Sequence, residues 1–383
     1  MKIMEILSEL LGDDINVPCH NTVENWMKKL GLSVYQDNKP CKGEKYAMVL
    51  DESIAINGQK LLLALAIPSN HQGRPTKHED VTVLEMSVGP KFSGKDIKEK
   101  VQSAVDNAGA NPLFVISDNG HNLVRGITDS GIIRHADISH SMGVVLKKVY
   151  GKDAEFVNLT SILGAKRLQY HLTNKAYLLP PNMRAIARFM NMSSWVIWGN
   201  QMLDCLNSLS DEMQAAYSFL KDYEALLREL RSVVDAVRYV ESICKNEGFS
   251  ILTSRKCKSH IIANIIGNAH CRQAKAGLKM LEYFEKEEKL LTKDMSINIS
   301  SDIIESTFGI YKSKKSPNKL YGVTSFALII PLYPNITNSI VTKTFNFKER
   351  LTNVKLKDID AWRTTHLSTN WVTERTKTLK KAI

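Results

Sequence analysis

What most constrains this chain is the point at which its strand-like apolar runs stop. They recur between Lys45 and Ile138, and for some 160 residues beyond Ser139 there are none. The first, residues 46–50, is continuously apolar and ends in Asp51-Glu52. Asn57-Gly58 then signals a hairpin turn, and residues 61–67 supply a second run, so the pair predicts an antiparallel hairpin. Residues 81–88 read as a third strand. A helix follows at about 94–108, with Ile97, Val101 and Val105 recurring at helical spacing. A fourth run, 112–117, ends in Asp118-Asn119-Gly120, a helix is expected at about 121–128, and 132–138 gives a fifth strand.

Beyond this region the pattern turns helical, at about 140–150, 181–208, 211–246 and 255–290. A polar break at 292–301 leads into a helix over 302–314 and the basic residues Lys312, Lys314 and Lys315. Three sequential strands, a helix, then strand and helix again is the order of an RNase H-like sheet. The fold class expected is therefore α/β, an RNase H-like mixed sheet with flanking helices interrupted by a large all-α insertion domain. The segments are N-terminal helices at 1–40, a first catalytic part at 41–140, the insertion at 141–300, a last catalytic part at 301–335 and a basic tail at 336–383.

The N-terminal segment offers helices at 3–12 and 21–31, the second capped by Asn21-Thr22 and closed by Gly31. Val23, Trp26, Met27 and Leu30 share one of its faces, with Lys28 and Lys29 directed outward. This reads either as part of a DNA-reading helix-turn-helix or as an ordinary packing helix. The 51 Lys+Arg against 40 Asp+Glu give a net charge of +11, which favours a polyanionic partner such as nucleic acid. The longest apolar stretch, 326–333, is too short to span a bilayer, so no membrane association is expected. Six scattered cysteines and no secretory leader point to a reducing compartment without disulfides.

Asp51 and Asp118 carry the chemistry. Each ends an apolar strand, and in the expected sheet those strands are neighbours, so the two carboxylates can approach. An acid at the end of a buried strand is costly without compensation, and a divalent cation is one such compensation. The alternative is a turn or helix cap. Glu305 flanks the stripe formed by Ile304, Phe308 and Tyr311 on the 302–314 helix, with Lys312 two turns later on nearly the same face. Alone, that helix reads equally as a solvated Glu/Lys face. Zinc is rejected for Cys257, His260 and Cys271, because on one continuous helix His260 and Cys271 would stand about 16 Å apart at about 1.5 Å per residue.

The arrangement resembles the DDE transposase superfamily: a strand ending in Asp51, a strand ending in Asp118, and a helix bearing Glu305 with a basic residue seven positions on. Asp137-Ile-Ser-His140 resembles the Asp/Cys-x-x-His motif of the hAT, Mutator-like and Transib type, whose members also carry a helical insertion before the final Glu. The resemblance implies a Mg²⁺- or Mn²⁺-dependent transposase that cuts and joins double-stranded DNA at transposon ends. Asp51, Asp118 and Glu305 would be its catalytic metal ligands, and the enzyme would work as a homodimer or higher oligomer in the nucleoid or nucleus. Lys28, Lys29, Lys312, Lys314, Lys315 and His140 would meet DNA; His140 reads equally as a packed histidine hydrogen-bonded to Asp137. Trp195 and Trp198, three apart on one helix, would meet DNA by stacking on a base; without the resemblance they read as core. An RNase H-like nuclease or resolvase and a domesticated, non-catalytic DNA-binding protein derived from a transposase are the competing readings.

Overall fold

A computed structural model describes residues 17–37, 45–53, 58–182, 192–267, 271–292, 294–318, 321–334 and 345–381, with Glu9, Ile56 and Phe189. Apart from Glu9, the helix expected at 3–12 lies outside the described residues, as do 183–188 and 190–191 of the one expected from 181, whose first two residues are not helical. The chain divides into two compact units. One comprises 1–69, 76–134 and 301–383; the other comprises 70–75 and 135–300.

The chain forms a five-stranded mixed sheet of order β3-β2-β1-β4-β5; β1 (Tyr46–Glu52), β2 (Lys60–Pro68), β3 (Thr82–Gly89) and β4 (Val115–Ser117) belong to the first unit, and β5 (Arg134–Ala136) begins at its last residue before the second. β1 to β3 pair antiparallel in succession, and β1 pairs parallel with β4. β1 is central and covered on both faces, which is why its sequence is a continuous apolar run rather than an alternating one. Met48, Leu50, Leu62, Ala64 and Leu84 pack with Ile97, Val101 and Ala104 of the Gly94–Ala108 helix and with Leu123 and Ile127 of the His121–Asp129 helix. Those two helices cross so closely that a Cβ on Gly126 would fall 2.5 Å from Ile97 Cβ.

Two expectations for the chain ends are corrected. Gly31 does not close its helix, which runs from His20 to Asp37. A Cβ at Gly31 would land on the Leu328 carbonyl oxygen, so the glycine is there for close approach of the 3₁₀ helix Ser325–Leu332 rather than for a helix cap. The C-terminal segment is not a tail but forms helices Phe347–Asn353, Leu356–His366 and Trp371–Lys381. Between the last two, Leu367 bridges Val88 in parallel, Ser368 N donates to Val88 O at 3.0 Å, and Gln59 Nε2 donates to Ser368 O at 2.9 Å. These contacts satisfy part of the edge that β3 would otherwise expose.

The second unit is helical: Ile138–Tyr150, Ala154–Tyr170, Met192–Cys205, Asp211–Tyr217, Glu224–Asn246, Ile251–Ile261 and Cys271–Glu288. Among the described residues, no strand of the five-stranded sheet falls within 150–290. The Ala154–Tyr170 helix has no counterpart among the expected ones. The run expected at 211–246 is broken by a 3₁₀ segment at Ser218–Tyr223, and that at 255–290 by a π-helical turn at Ile262–Ile266. The single long helix assumed for residues 257–280 is therefore corrected as well. Tyr150, Phe156 and Trp195 form an aromatic core, with Tyr150 OH donating to Glu229 at 2.7 Å and Arg272 joining Asp153, Glu155 and Glu229. No helix among the described residues is long and apolar enough to cross a membrane.

Candidate active site

The parallel pairing of β1 with β4 sets Met48 opposite Val115 and Val49 opposite Ile116, a constant offset of 67 residues. The same offset carried past the end of β4 brings Asp51 level with Asp118. Adjacent strands lie about 4.8 Å apart, so a pairing continued in that register would set the two acids side by side at one end of the sheet. Asp51 is only 8% exposed, and its Oδ1 accepts from Glu52 N at 2.7 Å. Asp118 is half-buried; its Oδ1 accepts from Gly120 N at 2.8 Å and so shapes the turn that starts the following helix. The cap-like role open to a strand-end Asp is thus present at Asp118, and only one oxygen is committed to it.

The Asp302–Lys314 helix forms where the sequence expects it and packs against β1 through its buried side, with Ile304, Phe308 and Tyr311 buried. Glu305 is exposed on that helix and Lys312 half-buried, its ammonium 5.8 Å from the centre of the Phe308 ring. Burial pushes the Lys312 ammonium below the usual lysine value, and the negative charges of Asp51 and Glu305 pull it back up. One cation therefore senses both carboxylates, which ties Glu305 to the β1 end of the sheet. Among the described residues, no three His, Cys, Asp or Glu side chains are grouped so as to hold an ion as they stand.

No protein-family model matches this sequence, and comparison with curated proteins found no similar chain. Assignment of the site rests on its own chemistry.

Sequence reasoning missed two neighbours. Arg134 on β5 reaches back to the end of β4: Nε donates to Ser117 Oγ at 2.7 Å, and Nη2 donates to the main-chain oxygens of Ser117 and Asp118 and to Asn119 Oδ1. It fixes the backbone that presents Asp118. His78 approaches the Asp302–Lys314 helix beside Glu305, with Nε2 3.2 Å from Ser306 Oγ, and burial lowers its pKa. The two were invisible because their partners are 17 and 228 residues away.

The other expected DNA contacts separate into two groups. Lys314 and Lys315 line a cleft with Lys28, and Lys28 also pairs with Glu24 at 2.5 Å. Lys29 points inward, donating to the Leu351 carbonyl at 3.2 Å, so its outward reading is corrected. In the second unit, His140 Nδ1 lies 3.0 Å from Asp137 Oδ1, while the same oxygen accepts from His140 N and caps the helix. Trp195 is 1% exposed, and Trp198 packs edge-on against Tyr217 and donates to Leu178 O. Trp195 is thus a core side chain, while Trp198 is only half-buried.

Proposed function

We propose that this protein is a DDE-type DNA transposase, cutting and joining double-stranded DNA with Mg²⁺ or Mn²⁺. The observation that carries the reading is the parallel β1–β4 register, which carried past the end of β4 brings Asp51 level with Asp118, together with the packing against β1 of the helix that bears Glu305 and Lys312. The sheet order, with three antiparallel strands and a parallel β1–β4 pair, supports an RNase H-like fold. The helical second unit, lying in sequence between Asp118 and Glu305, supports an insertion domain.

The donor set suits the ion: three carboxylates supply the hard oxygen ligands that Mg²⁺ prefers. When bound, divalent ions activate the attacking hydroxyl and stabilise the leaving oxygen of an in-line displacement at phosphorus. Asp51, Asp118 and Glu305 would hold the ions, and Lys312 would neutralise a phosphate next to them. Arg134 would keep the Asp118 turn in place, since small displacements of ligands are expensive in such a site. An assembly of two or more copies would be needed to bring two DNA ends together.

The test is a metal-dependent assay with purified protein on supercoiled and linear DNA, scored separately for nicking and for joining. Joining supports the transposase reading. Hydrolysis without joining would instead mark a nuclease or resolvase, and binding without either would mark a non-catalytic descendant.

A further inference from the structure

The Asp302–Lys314 helix ends beside a cleft. Lys314 and Lys315 leave it into a cleft of about 720 Å³ whose opposite wall is the His20–Asp37 helix, with His20 and Lys28 facing it and Tyr321 and Phe326 at its side. A second cleft of about 390 Å³ lies beyond, lined by Arg363, Ser368, Thr369 and Asn370. The two clefts adjoin at Thr324 and Ser325 within the first unit, giving a groove in two parts. Its lining mixes cations and hydroxyl groups with apolar side chains such as Val23, Met27 and Phe326, and among the described residues Glu24 is its one acidic side chain. Tyr321 is 42% exposed, and Lys314 has no hydrogen-bond or ion-pair partner among the described residues.

We infer that this groove binds a short stretch of unpaired DNA, the continuation of the strand held at Lys312. Volume argues for a single strand: clefts of roughly 300–1,000 Å³ accommodate small molecules and therefore a few nucleotides, whereas a double helix cannot enter them. Chemistry argues the same way. Cations spaced along a groove follow a phosphate backbone, hydroxyls and amides serve sugar and base edges, and an exposed aromatic ring stacks any base without regard to sequence. An acidic polypeptide would use the same cations, and competition by polyglutamate tests for it. The inference rests on the proposed function only for the origin of the strand; the groove itself can be tested without chemistry.

The experiment measures binding of a fluorescent oligothymidylate of about twelve nucleotides, and of a duplex of equal length, to the full chain in EDTA. It is run in an Asp118→Asn background so that no cutting occurs. Lys314→Glu with Lys315→Glu should weaken oligothymidylate binding by tenfold or more and duplex binding several-fold less. Tyr321→Ala should weaken only the single strand, by about fivefold or more, with Tyr321→Phe restoring it. Equal losses for strand and duplex, no effect of Tyr321→Ala, or competition by polyglutamate as effective as by oligothymidylate would each overturn the inference. Specific single-strand binding by a wild-type chain that never cuts DNA would leave the groove standing and remove the transposase reading.

Discussion

Lys312 is held within electrostatic reach of Asp51, a residue 261 positions earlier in the chain. Strand and helix are brought together by packing of Ile304, Phe308 and Tyr311, and the ammonium is half-buried in the process. A lysine held there carries a desolvation cost, which a phosphate would offset.

The first prediction concerns pH. Burial lowers the folded pKa of Lys312, so the ammonium loses its proton earlier than a free lysine as pH rises, and its phosphate contact is present at low pH and lost on the alkaline side. Lys312→Arg, whose guanidinium stays charged, should hold its DNA affinity on the alkaline side, where the wild type weakens. Lys312→Ala should weaken binding throughout and reduce the salt slope by about one phosphate contact. Anisotropy titrations at several pH values check both, and parallel wild-type and Arg curves would contradict the assignment.

Arg134 should act as a positioning residue. Arg134→Ala removes the donors that hold the Ser117 and Asp118 carbonyls, at a stability cost of about 1–3 kcal/mol. The Mg²⁺ concentration for half-maximal cutting should rise at least several-fold, with Arg134→Lys intermediate. A variant that loses stability but keeps the wild-type metal requirement would limit Arg134 to a structural role.

Glycines of equal standing in the sequence should respond oppositely to alanine. Gly31→Ala drives a methyl group onto the Leu328 carbonyl and should destabilise by about 1–3 kcal/mol. Gly164→Ala, mid-helix with nothing within 4 Å of the new Cβ, should stabilise by up to about 1 kcal/mol. Urea unfolding of both variants separates the two cases.

Trp195 should be a packing residue. Trp195→Ala should cost about 3–5 kcal/mol, Trp195→Phe much less, and neither should alter the DNA affinity of the folded protein. Loss of affinity in a fully folded Trp195→Phe variant would restore the stacking role.

The sheet and the Glu305 helix were legible because their signals are local: a central strand is continuously apolar, and the 302–314 stripe recurs at helical spacing. The Ala154–Tyr170 helix left a signal too, the Asp153 cap and Phe156, Leu159 and Leu163 at helical spacing, all buried. Gly31 misled because a glycine after an apolar stripe looks the same whether it ends a helix or admits a neighbour. The groove along Lys314, Tyr321 and Arg363 had no sequence signature, since its walls come from segments some 300 residues apart.

Asp118→Asn tests the central claim most directly. The substitution keeps size and the acceptor for Gly120 N but removes the charge needed by a divalent ion. Metal-dependent cutting and joining by the purified variant should fall by at least a thousandfold, while DNA affinity, set by dispersed Lys and Arg contacts, stays within about twofold or rises. A variant that cuts as well as the wild type would contradict the account and place the active site elsewhere.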